Sequence, residues 1–305
     1  MIGGYIQGGG HSPATHDFGL ASDQILEAQV ILANGSMVTA SPCSHPDLFT
    51  AIRGGGGGTY GVVTSLAIKA YPSQPVVAHS LMIVPESEKK LEPMLDAITD
   101  LYTAFPSLSG AGFSGYGSWS VNSPGAYNSS AGYQHSFAAF NQSLSETKSA
   151  FEPVYWKLVS RHGINVSIQW FEFPSYSAYY RTLSGVHQDT GVASMALASR
   201  MFDKKSLTKN PKRLREVIRT LAGTVSQMTS NQVLLVGGGS VLDEPEYSGV
   251  NPAWRTTYLV HIVARGWSGP EGDDVEDDIT YNKYQAMRKL TPSMGSYMNE
   301  VLSIS

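Results

Sequence analysis

GGYIQGGGHS (residues 3–12) and AIRGGGGGTYGVV (residues 51–63) are the two stretches on which the reading of this chain turns. Five glycines fall between Gly3 and Gly10, and five more run without a break from Gly54 to Gly58. Glycine loses more backbone freedom on folding than any other residue, so dense runs mark places that need positive φ or a surface without Cβ. One reading is a pair of tight turns with no ligand. The other is a backbone against which a ligand lies. Gly56-Gly57-Gly58-Thr59-Tyr60-Gly61 fits G-x-G-x-x-G, but a dinucleotide fold needs strand, glycine turn, then helix. Here helix-like HPDLFTAIR comes before the turn and β-rich YGVVTSLAIKAY after it, so the order is reversed. No G-x-x-x-x-G-K-[ST] loop is present.

The bulk numbers are those of a globular protein. The chain has 305 residues, 42% hydrophobic and 15% charged, enough for about two domains. A net charge of −4 without a basic tract argues against nucleic acid or anionic membrane as partner. Apolar runs such as TTYLVHIVA are too short to span a bilayer. The single cysteine, Cys43, cannot form an internal disulfide and reads as a small hydrophobe in a loop. Met1 is followed by no signal-peptide pattern. Asn-x-Ser sequons at Asn34, Asn128, Asn141 and Asn165 are compatible with a secreted glycoprotein as parent. No spacing of His, Cys and carboxylates suggests a metal, and no G-x-S-x-G suggests a hydrolase.

Along the chain, β-rich runs flank Asn34-Gly35, a hairpin signal. Residues 45–53 read as a short helix and 60–71 as a strand ended by Pro72. Further strands are read at VVAHSLMIV, GAGFSGYGSWSV, AGYQHSFAAF, INVSIQWFEF, QVLLVGGGSV and RTTYLVHIVARGW. Helical spacing marks residues 87–105, with Leu91, Met94, Leu95, Ile98, Leu101 and Tyr102 on one face. A second helix opens with a capping box of Ser143 and Glu146. A third carries Pro211 near its start, and a last one over GDDVEDDITYNKYQAMRKLTPSM is acidic first and basic last, as the helix dipole prefers. Strands and helices do not alternate in a βαβ rhythm. The expectation is α+β: an antiparallel sheet with helices on one face.

Taken together, GGYIQGGGHS, FGLASDQ, the Asn34-Gly35 turn and DLFTAIRGGGGG…GVV keep one order and spacing over residues 3–72. In that combination the chain resembles the FAD-linked oxidoreductases of the vanillyl-alcohol oxidase superfamily, in the berberine-bridge-enzyme-like branch and its fungal members. Ser296-Tyr297-Met298-Asn299-Glu300 resembles that family's Tyr-x-Asn-[Tyr/Glu] segment. The resemblance implies that residues 1–72 are the C-terminal half of a PCMH-type FAD-binding domain. Residues 73–305 would be an antiparallel-sheet substrate domain whose end heads back toward the FAD domain. By the same resemblance FAD is the cofactor, bordered by Gly3, Gly4, Gly8, Gly9, Gly10, His11 and Ser12. Gly61, Val62 and Val63 would sit by the adenine, Asn299 would contact the flavin, and Tyr297 would serve as a hydrogen-bonding or base-assisting catalytic group. His11 equally reads as a loop histidine bonded to backbone. Tyr297 and Asn299 equally read as an ordinary polar helix end. His261, alone on an apolar strand, reads as a satisfied core residue.

The resemblance also has gaps. Family members carry an N-terminal region of about 150 residues with an Arg-x-Gly-Gly-His loop that binds pyrophosphate. Its histidine, and a cysteine just upstream of the position of Met1, are covalent flavin attachments. Cys43 does not fit that place. The ending Val-Leu-Ser-Ile-Ser departs from the family's acidic, Pro-containing continuation. The expectation is a fragment of an FAD-dependent oxidase, with a small-molecule substrate, O2 as acceptor and impaired flavin binding. The alternatives are a non-catalytic remnant or binding module that keeps the substrate-domain fold, and a nucleotide-binding enzyme built on the Gly54–Gly61 loop. Strand then helix around that loop would favour the last; helix then strand would end it.

Overall fold

The computed structural model describes residues 3–87, 90–123, 127, 129–184, 194–269 and 271–300. Two antiparallel sheets organise them. The smaller has order β2-β1-β3, with β1 at Ile25–Ile31, β2 at Met37–Ala40 and β3 at Val62–Ile68. The β1–β2 hairpin turns at Asn34-Gly35, and its register pairs Ile31 with Met37. Helix Pro46–Ile52 precedes the second glycine run and β3 follows it. The element order is therefore helix, turn, strand, which ends the nucleotide-loop reading. Ile25, Ala28, Val30, Ala40, Phe49 and Ile52 form the core of this part. Among the described residues β2 and β3 are its edges, and Met37, Val62 and Ile68 are exposed on them.

The larger sheet has order β7-β4-β6-β5-β9-β10-β8, and every pairing is antiparallel. Its strands are β4 Val76–Pro85, β5 Phe113–Ser120, β6 Gly132–Phe140, β7 Ile164–Phe173, β8 Ser194–Asp203, β9 Thr229–Leu235 and β10 Thr257–Trp267. Because side chains alternate along a strand, the two faces have different chemistry. One face carries Leu81 and Ile83 (β4), Phe113 and Trp119 (β5), Tyr133 and Phe137 (β6), Val233 and Leu235 (β9), all buried. Helices Leu91–Gly110, Leu144–Val159 and Pro211–Ala222 cover it and form one core with it. The opposite face carries Ser80, Tyr116, Ser118, Gln134, Ser136, Ser230 and Gln232, and it lines a cavity. This is the expected α+β arrangement with helices on one face.

Local chemistry explains the helix starts. Ser143 Oγ accepts from Glu146 N at 3.3 Å while Glu146 Oε2 accepts from Ser143 N at 2.9 Å, closing the capping box. Asn210 Oδ1 accepts from Arg213 N at 3.1 Å, with Pro211 in the first turn. The first long helix continues past Pro106 to Gly110. The last one is interrupted: Gly272–Asp277 runs into a wider π-type turn, Asp278–Lys283, before Tyr284–Leu290. That turn buries Lys283, whose Nζ donates to Thr220 O at 2.9 Å and lies 3.5 Å from Asp278 Oδ2. Strand β8 and helix Tyr176–Ser184 have no counterpart in the sequence reading. SMALASRMFD contains no β-branched residue, and its strand conformation is imposed by pairing with β10. Among the described residues no helix is long and apolar enough to cross a membrane.

Three histidines lie inside the helix-covered face. His261 is satisfied there, 3.0 Å from the Tyr102 hydroxyl through Nδ1 and 3.1 Å from Asn231 Oδ1 through Nε2. His79 stacks among Phe137, Phe151 and Trp170 with neither ring nitrogen hydrogen-bonded. His135 stacks on Phe137 at 3.9 Å and meets the Tyr133 hydroxyl at 2.7 Å. Burial pushes His79 and His261 down to about 3 and His135 well below the ordinary histidine range. All three are neutral in the fold. The unfolded chain takes up protons below about pH 6.5, whereas the folded chain does not, so stability falls as pH drops from there toward 3. Each histidine contributes a loss of about 1.4 kcal/mol per pH unit. Urea unfolding at pH 7 and pH 5 should show this loss, and His79→Phe should reduce its slope by about one histidine's share.

Candidate functional site

The two glycine runs meet. Gly56 N donates to Gln7 O at 2.9 Å. A Cβ on Gly57 would stand 1.7 Å from Gly3 O, and one on Gly10, at φ +73°, would stand 2.8 Å from Ala21 Cβ. Neither position accepts a side chain: backbone already stands at Gly57, and the Ala21 methyl and the Tyr5 ring stand at Gly10, whose positive φ also disfavours one. The segment after the last helix closes over the first run. The Cβ position of Gly8 is 3.0 Å from Asn299 Nδ2, and that of Gly9 is 3.6 Å from the Tyr297 ring. Above Gly3, Gly4 and Gly58, in contrast, nothing lies within 4 Å of the Cβ position. A strip of bare backbone is thus left open beside a strip that the protein itself covers.

A network of charges fastens this region to the large sheet. Arg53 donates to Ser22 O, Asp23 O, Glu246 O and Tyr247 O, so one guanidinium ties two loops together. Asp23 caps Leu20 N and takes a bidentate pair from Arg255 at 2.8 and 3.0 Å, with both side chains nearly buried. Such fork-on-carboxylate geometry fixes orientation as well as proximity.

His11 follows the first glycine run and reaches the cavity. Its Nδ1 is 3.0 Å from the Tyr116 hydroxyl and its Nε2 is 3.4 Å from Glu300 Oε1. Tyr5 donates to the His11 carbonyl at 2.7 Å, and Tyr116 is within 3.2 Å of the same oxygen. The Tyr297 ring stands edge-on to His11 at 5.0 Å and to Trp254 at 5.6 Å. Burial raises the Tyr5, Tyr116 and Tyr297 phenols above their ordinary range, so each keeps its proton at neutral pH. Asn299 Nδ2 donates to the Tyr297 hydroxyl at 2.6 Å. The cavity, about 680 Å³, is walled by His11 and Glu300 on one side and floored by the polar face of the sheet, with Phe171 and Phe173 at its margin.

The residues singled out in the sequence thus divide into groups. Gly8, Gly9, Gly10, His11, Tyr297 and Asn299 come together in one cluster. Gly3 and Gly4 lie under the second glycine run, against Gly57. Ser12 Oγ accepts from Ala14 N at 3.1 Å, and Ser12 lines a separate cavity with Tyr5 and Gly10. Gly61 directly precedes β3, whose first residues Val62 and Val63 pair with Ile31 and Val30 of β1. Tyr116, Glu300 and Tyr5 were missed as site residues. Tyr116 was legible only as one position of an alternating strand, and Glu300 only as the last letter of a motif.

Bare backbone amides can hold phosphate without side chains, and a flat heterocycle needs a wall without Cβ. The open strip at Gly3, Gly4 and Gly58 offers such a wall, and the cavity reached by His11 is lined by Glu300, whose buried Oε2 has no hydrogen-bond partner. The site has the features of a flavoprotein. Comparison of sequence and fold gives the same class: along its whole length the chain is similar to VAO-type FAD-linked oxidoreductases. It is 38% identical to FAD-linked oxidoreductase hmp9 of Hypomyces subiculosus, over 98% of this chain and 49% of that protein. It is 35% identical to FAD-linked oxidoreductase apf9 of Gibberella fujikuroi, over 98% and 52%. The crystal structure of the VAO-type flavoprotein MtVAO713 from Myceliophthora thermophila C1 superposes with a TM-score of 0.93 at 38% identity, covering 100% of this chain and 55% of that one. Berberine bridge enzyme from Eschscholzia californica shares the fold, with a TM-score of 0.72 at 18% identity over 97% and 58%. The chain spans about half the length of the relatives it matches. No family model matches it.

The two kinds of glycine make a direct test. Gly57→Ala drives a methyl into Gly3 O and should cost about 2 kcal/mol or more. Gly3→Ala, with free space above it, should stay within about 0.5 kcal/mol of wild type. Thermal melts of both variants check the contrast.

Proposed function

We propose that this chain is part of an FAD-dependent oxidase site for a small hydroxyl- or amine-bearing substrate. The observation that carries this reading is the meeting of the two glycine runs beside a polar cavity walled by His11 and Glu300. The amides around Gly3, Gly4 and Gly58 would face the cofactor's phosphates and ring, and His11 and Asn299 its polar edge. When bound, the flavin accepts hydride from the substrate carbon and passes electrons to O2. The chain's own residues bind and orient. Ser80, Gln134, Ser136 and Gln232 offer hydrogen bonds to a polar substrate, while Phe171 and Phe173 offer it an apolar edge. Tyr297, protonated and fixed by Asn299 and Trp254, supports the His11 ring; its burial favours hydrogen bonding over the role of a base.

Among the described residues nothing lies within 4 Å of the Cβ positions of Gly3, Gly4 and Gly58, so no protein atom packs on that strip. We therefore infer that this chain by itself holds FAD weakly. A second reading, a binding module without catalysis, draws on the large sheet having its own helix-covered core, independent of the glycine loops. Flavin content separates the two. Mixed with excess FAD and then desalted, the chain should retain well under one flavin per molecule by visible absorbance. Flavin bound at one per chain and surviving desalting would overturn the weak-binding inference. Absence of any flavin fluorescence change on mixing would favour the binding module. We further propose that the protein is secreted; Asn34, Asn141 and Asn165 are all exposed, as glycan attachment requires.

A further inference from the structure

His11 sits in a hydrogen-bond network that can be completed in two ways, and the two differ by one proton. The Tyr116 hydroxyl has a single hydrogen and two acceptors in reach, His11 Nδ1 at 3.0 Å and His11 O at 3.2 Å. If it donates to Nδ1, the ring is neutral and its Nε2–H points at Glu300 Oε1, 3.4 Å away. If it donates instead to His11 O, Nδ1 must carry its own hydrogen to meet the Tyr116 oxygen. The ring is then an imidazolium, still paired with the Glu300 carboxylate. Passing from one arrangement to the other takes one proton and one rotation of a phenol O–H. No heavy atom has to move.

We propose that His11 is the proton acceptor of this site, reached from the cavity through the Tyr116 hydroxyl and held as an imidazolium by Glu300. The proposal rests on the oxidase reading above. Tyr116 and Glu300 both line the cavity, whereas Tyr297 does not. As a substrate alcohol is oxidised, its O–H bond breaks and the proton joins the Tyr116 oxygen. The hydrogen that Tyr116 held moves to His11 Nδ1. A bound flavin would take the carbon-bound hydrogen with its electron pair, leaving a carbonyl. Tyr116 is never a phenolate in this sequence, which suits its burial. Glu300 is a positioning residue: it does not receive the proton, and its carboxylate stabilises the charged ring beside it. The titratable groups that face His11 are Tyr116 from β5, Tyr5 and Tyr297 from the flanking loops, and Glu300. No other charged side chain hydrogen-bonds or ion-pairs with it among the described residues.

The test uses the histidine resonances of the full chain, with His11→Gln identifying the His11 signal. In Glu300→Gln, which keeps the shape and removes the charge, the His11 titration midpoint should move toward acid by about one pH unit or more. Coinciding midpoints in wild type and Glu300→Gln would overturn the proposal. Circular dichroism checks that the variant is folded. In flavin-loaded protein, Tyr116→Phe should slow flavin reduction by about 100-fold or more, while the acid limb of the wild-type rate should follow the His11 midpoint. An unchanged rate in Tyr116→Phe would also overturn it. If no flavin is retained or reduced at any pH, the oxidase reading is the one that fails, and the titration still decides the His11–Glu300 pair.

Discussion

The approach of two bare backbones is the constraint on which the site depends. Gly3 O and Gly57 are so close that even one methyl between them cannot be placed. This contact packs the loop after the helix Pro46–Ile52 against the chain's first turn, and the glycines that follow lead to His11, which lines the cavity. A single helical turn, Ile6–Gly8, and two glycines at positive φ carry the chain from that contact to His11, which meets Tyr116 of the sheet. The Arg53 and Asp23–Arg255 contacts then hold that geometry against the loop of residues 246–255. They do so with buried charges that would be costly if any partner were absent.

Glycine in this chain therefore serves two masters. Part of the first run is covered by Tyr297, Met298 and Asn299, so those glycines permit protein to pack on protein. Gly3, Gly4 and Gly58 remain open. A sequence pattern treats these positions alike, and only the fold divides them. The division also shows why a side chain at one glycine differs in cost from a side chain at its neighbour.

Much of the fold was legible. The Asn34-Gly35 hairpin, the Ser143–Glu146 box, Asn210 with Pro211, and the alternation in AGYQHSFAAF each follow from local physics, and each lies where its pattern puts it. Strand β8 was not legible, since its alanines, methionines and serines state no preference and β10 decides for them. The π-type turn at Asp278–Lys283 was hidden because its apolar spacing mimics an unbroken helix. For the site, the glycines, His11, Tyr297 and Asn299 were visible through motif. Tyr116 and Glu300 were not, since nothing in sequence says that residues so far apart share one imidazole ring.

The larger sheet acts as a partition. Odd-numbered positions of β6, such as Tyr133 and Phe137, answer to the helices, while Gln134 and Ser136 between them answer to whatever fills the cavity. Drift on the polar side leaves packing on the other side untouched. A lineage built on this sheet can retune what it recognises, one alternate residue at a time, without putting its foundation at risk.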